Sequence, residues 1–456
     1  MSKPTPLSGF PELLPAQRYV EQQVIATLAR TFELHGFANV ETRAVEPLDQ
    51  LLRKGDTSKE VYVLRRLQED DTSKDKGIGL HFDLTVPFAR YVLENAGRLE
   101  FPFRRYQIQK VWRGERPQEG RFREFTQADI DIVGRDTLPF HHDVEVARVM
   151  LEALSRLTFL PGFRLQVNNR KLIQGFYAGL GLDAHGIDEV MRLVDKLDKL
   201  STGQVRELLL TEAGVTGDQA DKALALATIR ASDDSFVARV RELGVSHDLL
   251  DEGLDELATL VRACTPLATE RTRIEADLSI ARGLDYYTGT VFETRLDGFE
   301  SLGSICSGGR YDALASDGRT TYPGVGISLG LSRLLVTLIQ RGVLPADRSV
   351  PSVVLVAVSN EDSRADADAI ATALRARAIP CEVAPSAAKF GKQIRHAERR
   401  GIPYVWFGQD DGTSEVKDIR SGNQVAADPA TWEPPNEDLR PQVVTTTEDK
   451  NEGESS

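Results

Sequence analysis

Phe103-Arg104-Arg105-Tyr106-Gln107-Ile108-Gln109-Lys110-Val111-Trp112-Arg113 and Phe122-Arg123-Glu124-Phe125-Thr126-Gln127-Ala128-Asp129-Ile130-Asp131-Ile132-Val133 carry the most informative pattern in the chain. Read as strands, with side chains alternating between faces, Arg105 to Arg113 places Tyr106, Ile108 and Trp112 on one side. Gln107, Gln109 and Arg113 fall on the other. The second run places Ala128, Ile130 and Ile132 together, with Phe122, Glu124 and Thr126 in line, and sets Arg123, Phe125, Gln127, Asp129 and Asp131 opposite. The link Glu115 to Arg121 holds Pro117 and Gly120 and reads as a long mobile loop. An antiparallel pair with one polar face is expected.

That face needs a partner. Burying Arg113, Arg123, Gln127 or Asp131 unpaired costs several kcal/mol per group. The face therefore meets either open water or a polar ligand. Phe125 among the charges suits a flat ring such as adenine.

Upstream, Pro15 opens a helical pattern in which Val20, Val24, Leu28 and Phe32 recur, and Gly36 closes it. An extended stretch, Phe37 to Val45, ends at Pro47. Downstream, residues 168–268 lose their β-branched runs, and helical spacing such as Ile187, Val190, Met191 and Val194 takes over. Strand-like segments resume at Arg273. After a linker at Gly342 to Pro351, short apolar runs (Val353 to Val358, Pro380 to Ala384, Tyr404 to Phe407) alternate with helical ones. That alternation predicts a small α/β domain with a mainly parallel sheet. Residues 434–456 are polar and acidic and are expected to be disordered.

A length of 456 residues implies two or three domains. A hydrophobic content of 41% fills a core without disulfides, and Cys264, Cys306 and Cys381 are too few and too scattered for a staple or a zinc site. Reduced thiols in a cytoplasmic protein are expected. Met1 to Pro15 lacks the basic start and apolar core of a secretory leader, and no apolar run is long enough to span a membrane. The net charge of −13 argues against nucleic acid as a partner only if charge is spread evenly. Two local patches are basic: Arg104 to Arg123, and Lys389 to Arg400, where Lys389, Lys392, Arg395, Arg399 and Arg400 face Glu398 alone. No phosphate-binding loop of the Gly-rich Lys-Ser/Thr type occurs. Glycine clusters do occur, at Ser307-Gly308-Gly309-Arg310 and from Gly324 to Gly330, with Arg333 just beyond.

Three segments together resemble class II aminoacyl-tRNA synthetases. Phe103 to Phe125 resembles their motif 2. The helix, strand and Pro47 near the start resemble motif 1, and Gly324 to Arg333 resembles motif 3. Ala281-Arg282-Gly283-Leu284-Asp285-Tyr286-Tyr287 and Ser304 to Asp312 resemble the two signatures of histidyl-tRNA synthetases. The resemblance runs from about Gly9 to about Gln424. It implies an α+β catalytic domain on a mainly antiparallel sheet (residues 1–345) with a helical insertion (168–268), and a C-terminal α/β anticodon-binding domain (351–433).

The resemblance also implies a chemistry: activation of histidine by ATP, then transfer to the terminal ribose of histidine tRNA. By similarity Arg113 and Arg282 are catalytic, reaching the α-phosphate from opposite sides and lying against the bound histidine. Glu115 and Phe125 would meet adenine. Arg121 and Arg333 would meet the γ-phosphate, with Mg²⁺ across the β- and γ-phosphates. Asp131, Tyr286 and Tyr287 would face the imidazole, with Tyr287 preferred because successive residues of an extended segment point apart. Asp83, Leu84 and Thr85 would hold the α-amino group, and Gln127 the carboxylate. Arg116 and Gln118 would read the tRNA acceptor end, and Lys389, Lys392 and Arg395 would contact RNA phosphates. A homodimer built through motif 1 is implied, and no membrane. Two positions depart from the pattern: His81, where Arg is frequent, and Ser332, where Glu is usual. The competing readings are a catalytically silent relative that binds histidine and regulates another enzyme, and a class II synthetase for threonine, proline or glycine.

Overall fold

The computed structural model describes residues 4–52, 59–68, 77–280, 286–409 and 411–444. They form two compact units, residues 4–11 with 25–337 and residues 12–24 with 338–444.

The first unit is built on a nine-stranded sheet. Its spatial order is β1 (Ala38–Asn39), β5 (Phe103–Trp112), β6 (Glu124–Val133), β12 (Gly324–Gly330), β11 (Cys306–Tyr311), β10 (Thr290–Leu296), β7 (Phe163–Asn169), β9 (Thr272–Asp277) and β8 (Arg230–Ala231). Only β1 with β5 and β7 with β9 pair in parallel; the central run from β5 to β7 is antiparallel throughout. Three short strands, β2 (Val45–Pro47), β3 (Val63–Leu64) and β4 (Ile78–Leu80), make a separate small sheet in the order β2-β4-β3.

The apolar side of the large sheet is the one the alternation picks out. Ala128, Ile130 and Ile132 of β6 and Val325, Ile327 and Leu329 of β12 are all buried. Helix α1 (Pro15–Leu34) buries the stripe Val20, Val24, Leu28 and Phe32, and Phe32 meets Tyr106 of β5 at 5.7 Å between ring centres. Beyond α2 (Leu48–Leu51), α3 (Thr85–Asn95) follows the segment 81–84. Helix α4 (His141–Ser155) packs on β6 and β12.

The segment expected to be a helical insertion carries α5 (Arg170–Gly179), α6 (Ala184–Val194), α7 (Thr202–Thr211), α8 (Gly217–Ala227), α9 (Phe236–Arg241) and α10 (Asp248–Cys264). Helices α7 and α8 begin at reciprocal capping boxes, Ser201 with Gln204 and Thr216 with Gln219. Each such cap is worth about 1 kcal/mol. The segment is not a detached lobe. Strand β8 joins the large sheet, and α10 lies against β7, β9 and α4. Helices α5 and α10 touch backbone to backbone. A Cβ at Gly175 would stand 2.2 Å from Leu250 N, and one at Gly253 would stand 2.2 Å from Leu172 N.

Helix α11 (Leu331–Gln340) leads to the second unit, whose sheet order is β14 (Cys381–Val383), β13 (Val354–Val356), β15 (Tyr404–Gly408), β16 (Ser414–Asp418) and β17 (Gln424–Ala426). Helices α12 (Arg364–Ala376) and α13 (Phe390–Arg400) join its strands. The first three strands are parallel, as the alternation of strand and helix requires, but β16 and β17 return antiparallel. The sheet is mixed rather than mainly parallel. Order also extends further than the acidic composition suggests. Asn436–Leu439 forms a 3₁₀ turn, where buried Asp438 accepts bonds from Tyr404 Oη (2.7 Å) and Arg420 (2.7 Å).

One buried ion pair ties the sheet to α4. Arg310 of β11 meets Asp143 at 2.5 Å, and Thr290 of β10 donates to the same carboxylate at 2.7 Å. Removing one partner of such a pair strands the other in low dielectric, at about 3–5 kcal/mol. Asp143→Ala is therefore expected to lower stability by about that amount in urea unfolding. A loss below ~1 kcal/mol would show that Arg310 finds water instead.

Candidate active site

The polar face of β5 and β6 is covered, not open to water. Register pairs Arg105 with Asp131, Gln107 with Asp129 and Gln109 with Gln127. Arg105 and Gln107 are 0% exposed, Asp129 1% and Asp131 3%. Burial of so much polarity is tolerable because most of it is paired. Arg105 bonds Asp131 at 2.7 Å and donates to the Leu84 carbonyl at 3.4 Å. Gln107 donates to Thr42 Oγ1 (3.0 Å) and to Gln109 Oε1 (2.6 Å), and Gln109 donates to the Thr42 carbonyl (2.9 Å). Tyr311 of β11 donates its hydroxyl to Asp131 at 2.7 Å.

The glycine clusters make room for this arrangement. A Cβ at Gly326 would stand 2.2 Å from Asp131 Oδ1, one at Gly324 2.5 Å from the Tyr311 ring, and one at Gly309 2.8 Å from the Tyr287 ring. The glycines sit in the middle of the sheet and shape a pocket for side chains. Tyr311 lies inside a segment singled out by sequence, yet its hydroxyl contact depends on β11–β12 register, which local pattern does not disclose.

Asp129 stands apart. Neither of its oxygens completes a hydrogen bond, and Gln127 Oε1, two residues along the same face, is equally unpartnered. Burial pushes the Asp129 carboxyl up to about 7; Arg105 pulls it down, Asp131 pushes it up, and the nearby Ser328 hydroxyl favours the anion slightly. The hydroxyls of Tyr287 and Tyr311 are also raised, first by burial and then by neighbours that include Asp131.

Beside this face opens a cleft of about 230 Å³. Arg113, Glu115, Arg121, Phe125, Gln127 and Arg333, all anticipated from sequence, line it together. Arg113 donates to the Phe82 carbonyl at 3.0 Å and lies over the Phe125 ring at 5.1 Å. Arg333 is anchored by the Gly120 carbonyl (2.9 Å) and the Ser304 carbonyl (2.6 Å). Glu115 and Arg121 pair loosely at 3.7 Å. The loop expected to be mobile is pinned. Gln118 and Arg121 exchange backbone bonds (3.2 and 2.9 Å), and Gly9 accepts from Arg123 N at 2.7 Å. Gly9 has φ +84 and no space for a Cβ between Pro117 and Arg123. Arg116 and Gln118 are exposed on this loop. Ser332 has a local job: its Oγ accepts from Thr126 N at 2.9 Å, holding the start of β6.

Asp83 is buried and accepts from Val86 N at 3.1 Å, as a helix-start residue does; Leu84 is in the core and Thr85 is half-buried. His81 is fully buried, stacked on Trp112 and bonded to the Lys110 carbonyl at 2.7 Å; burial lowers its pKa. Arg282 lies outside the described residues. Tyr286 and Tyr287 do not point apart: their ring centres are 4.1 Å from each other, because the backbone there is not a regular strand. In the second unit, Lys389, at the N-terminal boundary of α13, and Lys392 and Arg395 within it are exposed. Among the described residues, no group of three or more His, Cys, Asp or Glu side chains is placed to hold a metal, and no helix is long and apolar enough to cross a membrane.

The raised pKa of Asp129 makes stability depend on pH. Between pH 4 and about 7 the folded chain keeps a proton that the unfolded chain has released, so stability falls as pH rises through that window. The slope is at most ~1.4 kcal/mol per pH unit for one proton. Denaturation curves at several pH values should show this fall relative to Asp129→Asn; parallel curves would mean that Asp129 titrates alike in both states.

Residues 9–334 match the family model of histidyl-tRNA synthetase, and residues 352–430 that of an anticodon binding domain. The chain is 60% identical to the histidine--tRNA ligase of Cutibacterium acnes, over 98% of this chain and 100% of that one. It is 59% identical to that of Micrococcus luteus, over 97% and 99%. The crystal structure of histidyl-tRNA synthetase from Nostoc sp. PCC 7120 matches with a TM-score of 0.83 at 33% identity, covering 94% of this chain and 97% of that one. With the covered polar face and the arginine-lined cleft beside it, these likenesses over nearly the full length establish that the chain belongs to the histidyl-tRNA synthetase family of aminoacyl-tRNA ligases.

Proposed function

We propose that the covered face of β5 and β6 and the cleft beside it are where this histidine--tRNA ligase joins histidine to ATP and then passes the histidyl group to tRNA. The observation that carries the assignment is the fixed carboxylate of Asp131, held by Arg105 and Tyr311, next to a cleft lined by Arg113, Arg121 and Arg333. Each carboxylate oxygen has two lone pairs, so Asp131 can still accept a ring N–H of histidine while keeping both partners. Tyr287 flanks that carboxylate, and Tyr286 backs Tyr287. Gln127 contributes its amide to the substrate carboxylate, and Asp83, Leu84 and Thr85 frame the α-amino group.

In the first step the histidine carboxylate oxygen attacks the α-phosphorus of ATP and pyrophosphate leaves. In the second, a ribose hydroxyl of tRNA takes the histidyl carbon and AMP leaves. Charge gathers on the α-phosphate oxygens, so positioned cations lower the barrier. Arg113 and Arg282 supply them. Arg121 and Arg333 take the γ-phosphate, Glu115 the adenine amino group, and Phe125 its face. Mg²⁺ enters as part of the nucleotide substrate, bound by its phosphates. A pocket that pairs both imidazole nitrogens discriminates against apolar amino acids by a factor on the order of 10⁴.

Arg116 and Gln118, exposed on their loop, read the tRNA acceptor end in this scheme. Residues 351–433 engage the anticodon region through Lys389, Lys392 and Arg395. The enzyme works in the cytoplasm as a homodimer built through the motif 1 region. Ligase relatives at 60% and 59% identity over the whole length support this reading over a silent regulatory relative.

Histidine-dependent ATP–pyrophosphate exchange by the purified chain is the direct test. Exchange with another amino acid, or none at all from folded protein, would overturn the reading. Arg282→Ala should lose exchange rate by on the order of 10²-fold or more while histidine affinity changes little. Tyr311→Phe should raise the KM for histidine about 10–150-fold and leave the KM for ATP unmoved, since one hydrogen bond to a charged group is lost. Equal changes in both KM values would mean a general distortion.

A further inference from the structure

In the proposed reaction the arginines of the cleft take the phosphates, and Glu115 and Phe125 take adenine. The ribose of ATP is left without a polar partner. Ser304, Ser307 and Ser328 also line the cleft. Ser304 is buried, and its hydroxyl bonds the carbonyls of Thr294 and Cys306. Ser328 is half-buried, with its hydroxyl beside the Asp129 carboxyl. Ser307 is exposed, and among the described residues nothing bonds its hydroxyl. That hydroxyl keeps one donor and two acceptor sites.

Strand register locates it. Ser307 pairs with Ser328, and Ser328 with Asp129. One step along the same face, Gly309, Gly326 and Asp131 form the next row; one step the other way, Gly330 meets Gln127. Each step is two residues, about 7 Å. The Asp131 row is the imidazole end, and Phe125 and Arg333 lie beyond Gln127 and Gly330, at the adenine end. Ser307 stands between the two ends, at the level where an adenylate carries its phosphate and sugar. Arg113 approaches that level from the β5 side. Strand β11 is the second strand beyond β6. Two strand spacings are roughly 10 Å, so the sugar, and not the phosphate held by Arg113, falls to Ser307.

Gly330 leaves space for a ring beside it. Its backbone is outside the left-handed region, and a Cβ there would meet only Arg333 and Ile305, at an ordinary 3.5 Å. Neither the backbone nor a neighbour demands glycine at this position. The missing side chain keeps the cleft floor open next to the Ser307 hydroxyl.

We propose that Ser307 bonds a hydroxyl of the ATP ribose and makes the first step selective for the sugar. Ser307 is a specificity residue in this scheme: it touches the nucleotide away from the reacting atoms. The proposal rests on the reading of the cleft as the ATP site.

Histidine-dependent pyrophosphate exchange by the full chain, run with ATP, 2′-deoxy-ATP and 3′-deoxy-ATP, is the test. For the wild type, the analogue lacking the bonded hydroxyl should show a KM about 2–12-fold above that of ATP, the worth of one ordinary hydrogen bond. Ser307→Ala should raise the KM for ATP by the same factor and leave the KM values for that analogue and for histidine unmoved. A wild type that treats all three nucleotides alike would overturn the proposal. So would an Ala variant that raises all three KM values equally, which would put Ser307 at the phosphates, or one that changes none. Each of these outcomes leaves the cleft's assignment intact. No exchange with ATP by folded wild type would overturn that assignment, and this inference with it.

Discussion

A guanidinium with no access to water must be neutralised where it stands, and Arg105 is met by Asp131 at 2.7 Å. Much of the site is arranged around that pair. Asp131 reaches its position because Gly326 has no side chain, and it is held there by Tyr311, whose ring fits because Gly324 has none either. One residue before Tyr311, Arg310 is locked to Asp143, so the strand that carries the tyrosine is fixed against α4. A single charge pair thus depends on strand order, on register and on a helix contact, and each of these is costly to disturb.

The β5–β6 pair was legible because period-two alternation survives whether a face is wet or buried. Who covers the face was not legible. Thr42, Leu84 and Tyr311 come from distant parts of the chain, and alternation gives a face without naming its neighbours. The loop from Glu115 to Arg121 shows the same limit. Its Pro and Gly mark a turn correctly, but Gly9, which packs against Pro117 and bonds Arg123 just beyond the loop, lies far upstream. Opposite faces for Tyr286 and Tyr287 follow only where the backbone is regularly extended, and here the rings meet. Family likeness supplied roles that no pattern could, and it marked His81 and Ser332 as departures. The structure gives both a local use, in a stack on Trp112 and in a bond to the Thr126 amide.

In the second unit the parallel part was readable because buried parallel strands are short apolar runs, such as Val354–Val356. Strands β16 and β17 are harder to read because they are short and mostly polar: Ser414–Asp418 buries Val416 alone, and the edge strand Gln424–Ala426 is exposed along its length. The acidic stretch after Pro434 misleads in the same way. Its charge predicts solvation, but Asp438 has Arg420 and Tyr404 to answer it.

The glycines of β11 and β12 set a rule for change in this chain. Positions 131, 311, 324 and 326 draw on one shared volume, since a methyl group added at Gly326 would take space that the Asp131 carboxylate fills. A larger residue at any one of them fits only if another shrinks, so the four are bound to vary as a set and single replacements are filtered out.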